Sequence, residues 1–316
     1  MVWEVLLPNR NQVSLGATGE RQVNDWEVLM KRESRSIVVA ALLAVVLAAG
    51  AERSPAAEPA GMPSYLYDRG DGIPTSQFGT YVREKELLVY TFYEYTRVKN
   101  FEYKPSELGS TGENDFFGKA FEREHLLFLA YGFSDSLAVE FESALYSSVD
   151  FRKDPGDTSS VPGTIRESGL GDTETNIRWR FQKETESRPE ITFFFKTVFP
   201  LQKDKELLGT QNWEFEPGIV LTKGFSFGTL ALKLSVAYDS GERKMELGEY
   251  AIDYVKRLSQ NWRVVASLEG EQDELSIMGE VQYTLGKNAI LKINSGFGLT
   301  KKAPDFAPEI GVLFRF

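Results

Sequence analysis

Polarity that alternates residue by residue, in short blocks along most of the chain, limits the fold more than any other feature of this sequence. The block GDTETNIRWRFQ at 171–182 shows it best. Asp172, Glu174, Asn176, Arg178, Arg180 and Gln182 fall on one parity, and Thr173, Thr175, Ile177, Trp179 and Phe181 on the other. Successive side chains of a strand point to opposite faces, so the block makes a strand with one charged and one apolar face. Which face turns inward decides whether the protein lives in water or in lipid.

About twelve such blocks run from residue 86 to the end, each near the 9–11 residues that a tilted membrane-crossing strand needs. They cover residues 86–96, 122–131, 137–148, 172–182, 190–199, 213–222, 229–238, 247–258, 262–271, 275–285, 289–299 and 306–316. No stretch among them keeps a helical period. Their connections form two series. Residues 132–136, 184–188, 223–228, 259–261 and 286–288 are short and turn-like; residues 97–120 and 149–171 are long, and that series shortens through 200–212 and 239–246 to 272–274 and 300–305. Short turns on one rim and longer loops on the other are the mark of an outer-membrane barrel. The expected fold class is all-β, a transmembrane antiparallel up-and-down β-barrel of about 12 strands, with both termini on the short-turn, periplasmic rim. A secreted β-sandwich or lipocalin-like barrel is the soluble alternative.

Three features favour the membrane. The charged parity carries far more full charges than a soluble surface strand needs, as a polar lumen would. Aromatics, 13% of the chain, gather near the ends of the apolar parity: Tyr95, Phe199, Trp213, Tyr238, Tyr250, Phe297 and Phe306 at one end, Tyr131, Phe181, Trp262, Tyr283 and Phe314 at the other. The chain also stops on an aromatic, Phe316, as Gram-negative barrels commonly do for their assembly machinery. On this reading Glu140, Glu142, Asp172, Glu174, Arg178, Arg180, Lys196, Glu214, Glu216, Lys233, Asp253, Arg257, Glu269, Glu280, Lys292 and Arg315 line the lumen. The bases pair across neighbouring strands, and the residual negative charge favours cations. The plainer reading of these residues is wall charges in salt-bridge networks. Acid pairs such as Glu140/Glu142 and Glu269/Glu271 permit calcium, but no loop spacing specifies it, so no metal or cofactor is expected. The register is poor in the first block, where Leu88, Tyr90 and Phe92 are apolar on the lumen parity. In the second block, Arg123 and His125 fall on the lipid parity near the outer rim.

Ahead of the barrel, IVVAALLAVVLAA at 37–49 follows Lys31, Arg32 and Arg35 and precedes small residues. This is the layout of a secretory signal at 30–57, cleaved after Ala51 or Ala57, with residues 1–29 a mis-called upstream extension starting ahead of Met30. Residues 58–85 carry turn formers and no period, and read as a periplasmic lead-in; their composition does not say whether they plug the bore. A net charge of −10 argues against nucleic acid, and the absence of Cys removes disulfides, thiolate metal sites and Cys nucleophiles.

ESGLGDTE at 167–174, with YGFSDSLAVEFE at 131–142, resembles uncharacterised outer-membrane proteins grouped with the meta-pathway phenol-degradation family. The resemblance implies a porin-like barrel that passes hydrophobic or aromatic solutes, and carries no residue-level site. Gly169 and Gly171 suit a tight turn from a long loop into a strand; a phosphate loop is disfavoured because no helix follows. An outer-membrane phospholipase needs a Ser–His pair on the lipid face. The single His, His125, lacks that family's flanking pattern, and Ser134 and Ser136 lie at the opposite rim. An omptin-like protease finds Glu122, Glu124 and His125 but no second acid pair. The expectation is therefore a channel for passive diffusion of small solutes and not an enzyme, with a closed charge-filled structural or binding barrel as the alternative and a lipid hydrolase as a remote one. The implied partners are membrane lipids and lipopolysaccharide, the barrel assembly machinery, and small-molecule solutes.

Overall fold

The computed structural model describes residues 61–241 and 243–316. The signal segment at 30–57, its two cleavage positions and the upstream extension at 1–29 lie outside the described residues. A short 3₁₀ turn, Ser64–Leu66, is followed by two-residue strands β1 (Ile73–Pro74) and β2 (Tyr81–Val82), which pair with each other. The wall then begins with β3 (Leu87–Tyr103), β4 (Phe116–Gly132) and β5 (Leu137–Arg152). A short strand β6 (Thr164–Gly169) pairs only with the outer end of β5. The wall continues through β7 (Thr173–Gln182), β8 (Glu190–Val198), β9 (Glu214–Phe225), β10 (Gly228–Asp239) and β11 (Lys244–Arg257). It ends with β12 (Trp262–Glu271), β13 (Glu274–Thr284), β14 (Ala289–Gly298) and β15 (Ala307–Arg315).

Every wall strand pairs antiparallel with its sequence neighbours, β7 bridging back to β5, and β15 pairs with β3 from Glu309↔Glu94 to Arg315↔Leu88. That seam closes a barrel of 12 strands. Closure matters because an unpaired backbone group in hydrocarbon costs several kcal/mol. At the seam's foot, Leu87 and Phe316 exchange both backbone hydrogen bonds, at 3.0 and 2.9 Å.

Trp179, Leu232 and Val281 lie on the outside, 51%, 48% and 42% exposed, while Arg178 and Glu280 are buried within. This is the inside-out arrangement of a membrane barrel and rules out the sandwich, whose apolar face would be hidden. Aromatic pairs sit on the outer surface near both rims: Phe199 against Trp213 at 5.4 Å and Phe297 against Phe306 at 5.5 Å on one, Trp262 against Tyr283 at 4.6 Å on the other. Arg123 and His125 are exposed on the outer face, His125 5.0 Å from the Tyr93 ring.

The structure departs from the expected layout in three places. First, β3, β4 and β5 are 17, 17 and 16 residues long, so much of residues 97–120 and the start of 149–171 is strand rather than loop. Second, bulges reset the parity in these tall strands. The pairing slips between Val98 and Phe101, and Leu145 is the extra residue opposite the His125–Leu126 step. A bulge inserts one residue and so swaps the faces beyond it. Phe101, Tyr103, Val149 and Phe151 therefore turn inward and form a buried apolar cluster with Leu207 and Leu208 of the β8–β9 loop. Third, the lumen is not polar all round. Leu88, Tyr90 and Phe92 of β3 face inward with Leu126, Phe128 and Leu313 and cover Ile73 and Val82. The irregular first block is thus one clean alternating strand whose inner face is apolar because the lead-in packs on it.

Candidate functional site

The lead-in, whose composition left open whether it plugs the bore, runs inside the barrel. Its chain is rooted at two glycines of the wall. A Cβ at Gly224 would stand 1.8 Å from the Tyr65 carbonyl oxygen, and one at Gly132 2.0 Å from that of Arg83, so only glycine lets the two backbones touch. Between these points β1 and β2 form a hairpin whose loop carries Gly79 at φ +61°. Phe78 at its tip packs on Val255, Val265 and Met278.

Most polar groups of this stopper meet a charge on the wall. The Asp68 carboxylate accepts from the Arg257 N–H at 2.9 Å, and the Arg257 side chain donates to the Tyr67 carbonyl at 3.0 Å. Arg69 pairs with Glu184 at 3.1 Å and Glu190 at 3.0 Å. Arg180 shares Glu190 at 3.1 Å and donates to the Gly72 carbonyl at 3.0 Å. The Ser76 N–H donates to Glu140 at 3.1 Å, and Glu140 also pairs with Arg178 at 2.8 Å. Gln77 donates to Glu142 at 2.7 Å. Lys292 donates to the Phe78 carbonyl at 3.0 Å and pairs with Glu280 at 3.3 Å. Burial of so many charges is tolerable only because each finds a partner.

Above the hairpin tip the lumen opens into a chamber. Ser76 of the lead-in is part of its floor, and Leu207 and Gly209 of the β8–β9 loop part of its roof. That loop is pinned across the mouth: the Glu167 carboxylate accepts the Leu207 N–H at 2.7 Å, and Thr210 donates to Asp172 at 2.7 Å. The chamber wall has two chemistries. Val98, Phe101, Ala120 and Val149 make its upper part apolar; Glu94, Glu122, Glu124, Glu142, Asp172 and Glu174 make it acidic. Its two lysines pair with acids of the wall, one of which, Glu249, also lines the chamber. Lys196 pairs with Glu216 at 2.6 Å and Glu249 at 2.8 Å, and Lys233 with Glu249.

The strand register sets three of the acids in a row. Glu309 of β15 stands opposite Glu94 of β3, and Glu94 opposite Glu124 of β4. Like charges directly opposed on neighbouring strands repel. Glu309 accepts from the Tyr90 hydroxyl. Glu94 is 4% exposed; one carboxylate oxygen accepts from Thr96 at 3.3 Å and the other has no hydrogen-bond partner. No lysine or arginine among the described residues forms an ion pair with Glu94, Glu122 or Glu124.

All sixteen expected lumen residues lie on the inner face, but in different settings. Glu140, Glu142, Arg178, Arg180, Arg257, Glu280 and Lys292 contact the lead-in or its immediate partners, as described above. Lys196, Glu216 and Lys233 form the wall cluster with Glu249. Asp172 and Glu174 flank the chamber. Asp253, which accepts from Ser267 at 2.6 Å, and Glu269 line a smaller cavity beside the hairpin. Glu214 sits at the outer end of β9 facing Asp239, and Arg315 pairs with Glu86 at 3.2 Å on the periplasmic rim. Phe316 projects outward beneath Phe314, their rings 6.4 Å apart. Sequence reasoning missed Glu94, Glu249 and Glu309 as lumen acids, and Arg69, Glu184 and Glu190 as the anchor of the stopper. The even parity of β3 was the available signal for Glu94.

The chain is an outer-membrane β-barrel. A closed wall, apolar outside and charged inside, leaves no other solvent for it. No family model matches the sequence, and no curated protein matches it either. Among solved structures, the fold is similar to an outer-membrane channel from Pseudomonas putida F1, at 13% identity and a TM-score of 0.53, covering 77% of this chain and 100% of that one. The KdgM porin in complex with disordered oligogalacturonate aligns at 10% identity and a TM-score of 0.45, over 72% of this barrel protein and 99% of the porin. The toluene transporter TodX of P. putida aligns at 8% and 0.37, over 81% and 96%. At these identities the likeness is one of fold. Among the described residues, no three potential ligands converge on a metal position.

Proposed function

We propose that this barrel is a channel through which small solutes diffuse passively, and that its lead-in governs how far the periplasmic half is open. The chamber carries this reading. A barrel that serves only as scaffold gains nothing from an open chamber between its loops and its core, whereas a solute pathway requires one. The mixed wall suits solutes with an apolar or aromatic body, in keeping with the resemblance to the phenol-degradation group and with the channel of similar fold. The reading needs no covalent chemistry and no cofactor. His125 lies on the outer face between the Tyr93 and Tyr146 rings, and among the described residues it forms no ion pair with an acid. Lipids and lipopolysaccharide meet the outer aromatic belts, and the terminal strand ending in Phe316 offers the assembly machinery its signal.

The packed stopper favours a second reading, a closed barrel that binds partners through its loops. Bilayer recordings separate the two. The parent protein is expected to show small, infrequent openings, and Lys292→Met, which frees the hairpin tip, larger or more frequent ones. Absence of conductance in both proteins overturns the channel.

A further inference from the structure

Three acids of the chamber, Glu94, Glu122 and Glu124, raise a question that the stopper does not answer. Glu140, Glu190 and Glu280, deeper in the lumen, are each matched by a base. Here Glu309, Glu94 and Glu124 stand in a row across three adjacent strands, with Glu122 one rung further out, opposite Thr96. The Glu94 carboxylate is buried and half-unpaired. A buried carboxylate without its complement is costly, and so is a row of like charges. The missing complement is a cation. Inorganic metal fits poorly, because among the described residues no three ligands converge. Beyond the Thr96–Glu122 rung the wall is hydrocarbon: Val98 and Phe101 from β3, Ala120 from β4, Val149 from β5. The bulge between Val98 and Phe101 brings that aromatic ring inward.

We infer that the chamber binds a small organic ammonium ion, its charged end at Glu94 and Glu124 and its hydrocarbon or aromatic body against Phe101 and Val149. This deepens the channel reading by naming the class of solute held at the same site. Carboxylates without counter-ions give the charge selectivity, and the apolar wall beyond the Thr96–Glu122 rung gives the preference for an amphiphile over a bare ion. Charge-assisted hydrogen bonds of this kind are roughly twice as strong as neutral ones.

The test uses the full mature chain in detergent and three probes of similar size: phenethylammonium, 2-phenylethanol and 3-phenylpropionate, titrated calorimetrically. Phenethylammonium is expected to bind at least about tenfold more tightly than the alcohol, and the carboxylate not to bind, as one charge-assisted contact implies. Glu94→Gln should weaken ammonium binding by about tenfold, leaving 2-phenylethanol unaffected. Glu84→Gln, on the exposed periplasmic side, should change neither. Heat-modifiable migration on gels checks that each variant is a closed barrel, and Glu124→Gln serves as the second variant should Glu94→Gln fail to close. Equal affinity for the three probes, unchanged ammonium affinity in the Gln variant, or tighter binding of calcium alone than of the amine each overturns the inference. Conductance is read separately. A barrel that conducts without discriminating the probes refutes the ammonium site and spares the channel. One that binds phenethylammonium but never conducts does the reverse.

Discussion

The two halves of this lumen are built from the same residue types to opposite ends. In the periplasmic half, Arg69, Arg180, Glu184 and Glu190 form a closed set in which each charge is neutralised and the lead-in is held by it. In the outer half, Glu94 and Glu124 face each other across one rung with no base between them. A charged lumen is therefore not one thing. Where a cation of the protein itself is supplied, the acids are cement; where it is withheld, they are open valences.

Substitutions on either side of that divide should differ in sign. The largest effect is expected from Arg69→Met, which leaves Glu184 and Glu190 with only Lys223 and Arg180. Breaking a buried pair costs about 3 kcal/mol or more, and the loss should fall on the docking of the lead-in. Limited proteolysis would then cut within residues 61–86 while the wall stays intact. A stopper as resistant as the parent's would erase the contrast between the halves.

Glu124→Gln sharpens the same contrast from above. It removes a charge opposed to Glu94, and the barrel should gain up to about 1 kcal/mol, read as a higher Tm in detergent. A clear loss would mean that the outer acids are structural after all.

The smallest effect belongs to the periplasmic turn. Lys183 beside Asp135, at 2.5 Å, holds that carboxyl below the usual carboxylate range. A depressed folded-state pKa contributes stability above the unfolded value, which is lost as pH falls through the folded one. The pair is exposed and screened, so Asp135→Asn should differ from the parent in Tm by no more than about 1 °C near neutrality, and the gap should vanish at the acid end. A large gap there would place unexpected strength in a solvated pair.

Much of the wall was legible because a strand of period two cannot disguise its faces. From β7 to β15 the parity of Arg178, Trp179, Lys233, Leu234 and Glu280 sets their sides directly. Three things were not legible. A bulge leaves no reliable mark in composition, so the inward turn of Phe101 and Phe151 required the register. Leu88, Tyr90 and Phe92 looked like a poor lumen face because their neighbour, the β1–β2 hairpin just upstream, is rich in turn formers and shows no alternating pattern of its own. The row Glu309–Glu94–Glu124 depends on how three strands align, and no single strand contains that alignment.

The anchoring of the hairpin tip by Lys292 has a consequence for biogenesis. The two groups joined there, Phe78 and Lys292, are 214 residues apart. The segment that leaves the ribosome before any wall strand thus lacks its final foothold until the penultimate strand has arrived. First made and last secured, it must travel with the growing sheet unfastened, and the sealing of the wall and the seating of its cork become a single late event.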